Sequence, residues 1–171
     1  MKIKNVFFVP GKSAFFFDDQ KAVRKGARLD GFIYEGRPVT RGFTTIRQAG
    51  ECISIVLEIE NGQLAVGDCA AVQYSGVGGR DPLFLADHYL PFMERELKPR
   101  LTGMEIEQFR TMADRLENLT FDGQKMHTAI RYGLSQALLD ARALAEKKLK
   151  AEIICEEYKL PVIPERVKIF A

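Results

Sequence analysis

Residues 51–72, Glu51-Cys52-Ile53-Ser54-Ile55-Val56-Leu57-Glu58-Ile59-Glu60-Asn61-Gly62-Gln63-Leu64-Ala65-Val66-Gly67-Asp68-Cys69-Ala70-Ala71-Val72, carry the strongest local signal in the chain. Ile53, Ile55, Leu57 and Ile59 alternate with smaller or more polar residues, so they share one face of a strand. Asn61-Gly62 is a dipeptide that favours a two-residue type I′ hairpin turn. With Glu60 paired to Gln63, Ile59 opposes Leu64 and Leu57 opposes Val66, and the apolar faces agree. This register puts Asp68 opposite Ile55 on the apolar face, as a carboxylate in need of a partner. It puts Cys69, Ala71 and Gln73 on the other face.

Upstream, Ile3 to Val9 reads as a strand stopped by Pro10-Gly11. Phe15-Phe16-Phe17 follows, and burying one phenylalanine is worth about 1.5–3 kcal/mol. Two readings stay open: a second strand that adds to the core, or an apolar loop that closes over a site. Gly26 to Gly42, with Tyr34-Glu35-Gly36-Arg37-Pro38 at its centre, is a long connection with little periodicity, either a binding loop or disordered.

Downstream, three helices are predicted. The first runs from Asp81 as N-cap and Pro82 as first helical residue to about Glu96, with a kink at Pro91 and a break over Lys98–Gly103. The second covers about Glu105–Leu119, with Ile106, Phe109, Met112, Ala113 and Leu116 on one face. The third covers about Lys125–Lys148 at helical spacing. Its small residues Ala129, Gly133, Ala137 and Ala141 predict close approach to another element. The tail from Ala151 is short and apolar at Ile153-Ile154-Cys155 and extended at Leu160–Pro164; Val167–Ala171 reads as the start of a further strand. Strands followed by helices indicate an α+β fold.

The 25 basic and 23 acidic residues nearly cancel. No basic cluster suggests nucleic acid, no apolar run approaches the roughly 20 residues of a membrane span, and the first residues lack a signal-peptide pattern. A cytoplasmic location is expected, with no nucleic-acid or membrane partner. Cys52, Cys69 and Cys155 form no CxxC pair, so zinc is disfavoured and each reads as a small buried residue. His88 and His127 show no ligand spacing and read as structural.

Functional signals concentrate in Gly67–Pro82, a strand end followed by a glycine-rich loop. Gln73 and Tyr74 bring hydrogen-bonding groups to its mouth and Arg80 a charge, while the glycines at 76, 78 and 79 leave room beside the backbone. Gln73 is the candidate substrate contact, because a neutral amide can bond both a carboxylate and an ammonium. A tight connection without a ligand is the alternative.

Phe17-Asp18-Asp19-Gln20, Asp30-Gly31-Phe32-Ile33-Tyr34, Arg47-Gln48-Ala49-Gly50-Glu51-Cys52, Gly67 through Leu85 and His127 through Ala141 together resemble the amino-terminal domain of the methylaspartate ammonia-lyase family. The resemblance runs along essentially the whole chain. It implies an enolase-superfamily capping domain over residues 1–160, with 161–171 as linker and start of the first strand of a carboxy-terminal barrel that the sequence does not reach.

The implied reaction removes ammonia from L-threo-3-methylaspartate to give mesaconate, in amino-acid degradation. The catalytic base and the magnesium ligands are expected on the barrel, so no catalytic or metal residue is assigned here. The expected partners are that barrel, in cis or in trans, and a small amino-acid substrate. A homo-oligomer, a dimer, is also expected.

A cap that closes a barrel mouth excludes water. A phenylalanine-rich loop at 13–20 and the glycine-rich loop suit this role, with Phe15, Phe16, Phe17, Tyr74, Ser75, Gly76 and Arg80 as contributors. The resemblance also places a substrate-binding glutamine at Gln73. The alternative function is a stand-alone binding or interaction module that kept the fold without catalysis.

Overall fold

The computed structural model describes residues 1–71, 81–121 and 123–163. A three-stranded antiparallel sheet has the order β1-β4-β5, with β1 at Ile3–Asp18, β4 at Arg47–Ile59 and β5 at Leu64–Ala70. Between β1 and β4 lie a short helix α1 (Gln20–Arg24) and a hairpin of β2 (Arg28–Asp30) and β3 (Ile33–Glu35). Then come α2 (Ala86–Phe92), a π-helical turn at Met93–Leu97, α3 (Lys98–Leu101) and α4 (Phe109–Glu117). A small β6–β7 pair (Thr120–Phe121, Gln124–Lys125) precedes α5 (Thr128–Glu146) and α6 (Lys150–Tyr158). The expected α+β class holds.

The hairpin forms at Asn61-Gly62, but one residue out of the predicted register. Glu58 pairs with Leu64 and Leu57 with Ala65, while the Ile59 N–H donates to the Gln63 carbonyl. Glu60 therefore joins the loop. Three loop residues ending in Gly62 at φ 83° make a turn with a glycine bulge rather than a type I′ turn. A one-residue slip turns every β5 side chain over. Ala65 and Cys69 are buried, and Leu64 and Val66 are exposed. Asp68 faces Ser54, not Ile55, and accepts its hydroxyl at 2.6 Å.

The helix behind the sheet explains why the small face wins. The stripe Gly133, Ala137 and Ala141 of α5 lies against β5. A methyl group at Gly67 would strike the Gly133 carbonyl oxygen and Ala137 nitrogen, and one at Gly133 would lie 2.7 Å from Cys69 Sγ. The predicted close approach is real and its partner is β5. Ile3, Val6, Ile53, Ile55, Leu57, Ile59, Met93, Leu97, Leu101, Met112, Ile130, Leu134 and Leu138 complete the core.

Several other boundaries differ from the sequence reading. β1 does not stop at Pro10-Gly11: Pro10 pairs with Ile53 and Gly11 with Cys52. β1 is an edge strand, where a missing N–H is tolerated. The phenylalanines do not form a loop at 13–20. After a bulge between Lys12 and Phe16, Phe16 pairs with Ala49, Phe17 with Gln48 and Asp18 with Arg47.

Asp81 and Pro82 do not start a helix. The helix begins at Ala86, whose N–H donates to Glu51 Oε2 at 2.7 Å. Lys98-Pro99 does not break it: Pro91 is followed by the π turn, and helical backbone continues to Leu101 before Thr102-Gly103. The tail carries α6, unread in the sequence, with the Leu149 N–H held by Glu152 Oε2 at 2.7 Å.

Candidate functional site

Gln73, Tyr74, Ser75, Gly76 and Arg80 lie outside the described residues. The two stems on either side of them are described, and both rest on the first turns of α5. The near stem is the end of β5, where Cys69 and Ala71 are buried and Cys69 lies against Gly133. Burial first, and then the neighbouring Asp68 carboxylate, pushes the Cys69 thiol far above its ordinary range, so it packs as a small apolar group.

The far stem is Asp81–Leu85. Asp81 Oδ2 accepts the Thr128 N–H at 2.6 Å, at the start of α5. Burial raises the Asp81 pKa, but the Thr128 bonds and the Arg131 guanidinium outweigh it and hold the carboxyl below its usual range. His127, the N-cap of α5, bonds the Pro82 carbonyl through Nε2 at 3.0 Å and the Ala129 N–H through Nδ1 at 3.0 Å. Phe84 is fully buried and stacks on Tyr89, with ring centroids 5.0 Å apart. Just beyond, Glu51 joins three elements: it caps α2 and accepts Lys12 Nζ of β1 at 2.9 Å.

The phenylalanines lie at the C-terminal end of β1, just beyond Lys12. Phe17 is wholly buried, while Phe15 and Phe16 are exposed. Phe16 meets Phe32, at the turn of the β2–β3 hairpin, edge to face at 4.9 Å. This hairpin is held by Arg47, whose guanidinium grips Asp18 at 2.7 and 2.8 Å, donates to the Phe32 carbonyl at 3.1 Å, and lies 4.9 Å from the Tyr34 ring centre. Asp19, 1% exposed, ties the next stretch by accepting the Val39 and Thr40 N–H groups and the Thr40 hydroxyl at 2.6–2.8 Å. Neither role was read from the sequence. Two consecutive aspartates after an apolar run were the available signal, and nothing local set Arg47 apart from Arg24, Arg28, Arg37 and Arg41.

No three His, Cys, Asp or Glu side chains among the described residues gather to hold a metal ion. Asp18, Asp19, Glu51 and Asp81 are each taken by a guanidinium, an ammonium or backbone N–H groups. The described residues therefore do not fit a magnesium site. A cleft of about 130 Å³ between α4 and α5, walled by Leu116, Met126, Leu134 and Leu138, includes none of the candidate residues.

An antiparallel sheet backed by helices, with a glycine-rich connection rooted on two fixed stems, defines a loop-presenting α+β domain. The chain belongs to the family described as methylaspartate ammonia-lyase N-terminus, whose model matches residues 1–159. It is 58% identical over 170 residues to the methylaspartate ammonia-lyase of Citrobacter amalonaticus and 53% identical over 171 residues to that of Clostridium tetanomorphum. These alignments cover 99–100% of this chain and 41% of each relative, so the chain spans about two fifths of their length.

Two solved structures superpose on it with TM-score 0.94 and cover 98% of the chain. One is the Citrobacter amalonaticus enzyme containing (2S,3S)-3-methylaspartic acid, 58% identical, of which 41% is covered. The other is a magnesium complex of Clostridium tetanomorphum β-methylaspartase, 53% identical, of which 40% is covered. No helix among the described residues is long and apolar enough to cross a membrane.

Proposed function

We propose that this chain is the substrate-capping part of an enzyme that eliminates ammonia from L-threo-3-methylaspartate to give mesaconate. The observation that carries this reading is the fit of 98% of the chain, at TM-score 0.94, to a relative solved with 3-methylaspartic acid. Residues 1–160 form the cap, and 161–171 lead into a barrel of the enolase-superfamily type. The barrel supplies the general base and the magnesium ligands. The complete enzyme is cytoplasmic and a dimer.

Within the cap, Gln73 is the proposed substrate contact. Its amide offers donors to a carboxylate and an acceptor to an ammonium without altering the charge of either. Tyr74, Ser75, Gly76 and Arg80 share that loop. Phe15 and Phe16 add exposed apolar surface at the end of β1, and Phe17 supports them from the core. Closing such a cap over a barrel mouth excludes water and strengthens the electrostatics inside.

The test is mesaconate formation from 3-methylaspartate with magnesium present, followed by absorbance. The 171-residue chain alone is expected to be inactive, and the chain joined to its barrel region is expected to turn over. Turnover by the isolated chain, or none by the joined one, contradicts the reading.

A further inference from the structure

His127 is a buried polar group that the proposed chemistry does not use, and it is 8% exposed. Both ring nitrogens are engaged. Nδ1 faces the Ala129 N–H and so must accept, which leaves the proton on Nε2, aimed at the Pro82 carbonyl. The first bond is a cap local to α5. The second crosses 45 residues to the far stem.

The same stem is held beside it by the bond from Thr128 to Asp81 and by Phe84, whose ring centre lies 5.1 Å from that of His127. Burial favours the neutral imidazole that this arrangement needs. The Arg131 charge acts in the same direction, while the Pro82 bond and the Asp81 carboxylate oppose it.

We propose that His127 is a positioning residue for the substrate-facing loop. By donating to the Pro82 carbonyl it fixes residues 81–84, while Gly133, one turn and a half further along α5, backs the opposite stem at Cys69. One helix end thus sets both stems. The inference rests on reading the intervening segment as substrate-facing.

Two substitutions separate loop positioning from simple helix capping. In His127→Asn the side-chain oxygen occupies the place of Nδ1, so the cap of α5 survives and the reach to Pro82 is lost. In His127→Gln the amide N–H takes the place of Nε2, so the Pro82 bond survives and the local cap is lost. Hydrogen exchange at the Leu83, Phe84 and Leu85 amides of this chain reads the stem without any assay of activity. His127→Asn is expected to speed exchange there by about tenfold, and His127→Gln to leave it within about threefold. The reverse order, or equal exchange in both variants, overturns the proposal.

In the chain joined to its barrel, His127→Asn is expected to lower kcat/KM by about tenfold, mainly through KM, with rescue in His127→Gln. A parallel Gln73→Ala variant keeps the two claims apart. If it is silent while the exchange order holds, the substrate-facing reading fails and the stem anchor stands. If it lowers kcat/KM while the two His127 variants behave alike, the anchor fails and the reading stands.

Discussion

The seam between β5 and α5 and the excursion from Asp19 to Ile46 are ordered by opposite means. At the seam, side chains have been removed. Gly67 and Gly133 bring strand and helix backbones together, with Ala65, Ala137 and Ala141 beside them, all buried. In the excursion, little is buried: Leu29, Phe32, Ile33 and Val39 are exposed. Order there comes from two adjacent carboxylates, Asp18 through Arg47 and Asp19 through Thr40. The seam has one tight fit and tolerates no added atom. The excursion has a few strong tethers and, between them, mostly exposed residues.

Breaking the seam should have the largest effect. Gly67→Val sets three carbons against the Gly133 carbonyl and the Ala137 nitrogen, which are backbone atoms that cannot rotate away. A loss of about 3 kcal/mol or more is expected, with a fall in Tm of roughly 6–12 °C. Thermal unfolding by circular dichroism measures it. A change under about 1 kcal/mol would mean that α5 and β5 are not in this contact.

Cutting a tether should cost less. Asp19→Ala leaves the buried Ala22 N–H and the half-buried donors of Val39 and Thr40 without their acceptor, an expected loss of about 2–3 kcal/mol at neutral pH. Burial raises the Asp19 pKa, but the Thr40 hydroxyl and the backbone N–H groups outweigh it and hold the carboxyl below its usual range. Its stabilising contribution is therefore present above the unfolded pKa of about 4 and is lost as pH falls through the lower folded value. Urea unfolding of both proteins should show the gap between them constant near pH 7 and narrowing below about pH 4. A gap that widens on acidification would contradict the assigned bonds.

The smallest effect sharpens the comparison from the other side of β5. Leu64→Ser should change stability by less than about 0.5 kcal/mol, because Leu64 is exposed in the observed register. In the register read from the sequence the same substitution would empty a core position and cost about 2 kcal/mol or more.

That register shows where legibility in the sequence ended. The strand at 51–59, the turn at Asn61-Gly62 and the small stripe on α5 could all be read. Each face of β5 is plausible alone, since Leu64 and Val66 are larger than Ala65 and Gly67. Only the small stripe of α5, matched to small residues opposite, decides for Ala65, Gly67 and Cys69. Turn length cannot decide, because Glu60 can pair or enter the loop.

Helix starts failed for a related reason. Ala86 is capped by Glu51, Thr128 by Asp81, and Phe109 by Glu157, each from a distant part of the chain. The local rule that places Asp before Pro at a helix start gave the right chemistry for Asp81 and the wrong helix. Pro10 misled because its place on an edge strand is a tertiary fact. In the candidate site, the sequence singled out the loop and its glutamine. It did not reveal the stems, which depend on His127 and Gly133 meeting residues some 45–65 positions earlier.

The proposed division of labour, substrate contact in the cap and chemistry in the barrel, is tested most directly by Gln73→Ala in the chain joined to its barrel. Loss of a hydrogen bond to a charged group should cost about 1.5–3 kcal/mol in transition-state binding. That corresponds to roughly a tenfold to hundredfold fall in kcat/KM for 3-methylaspartate, with Tm essentially unchanged. A kcat/KM within about twofold of wild type would contradict the account.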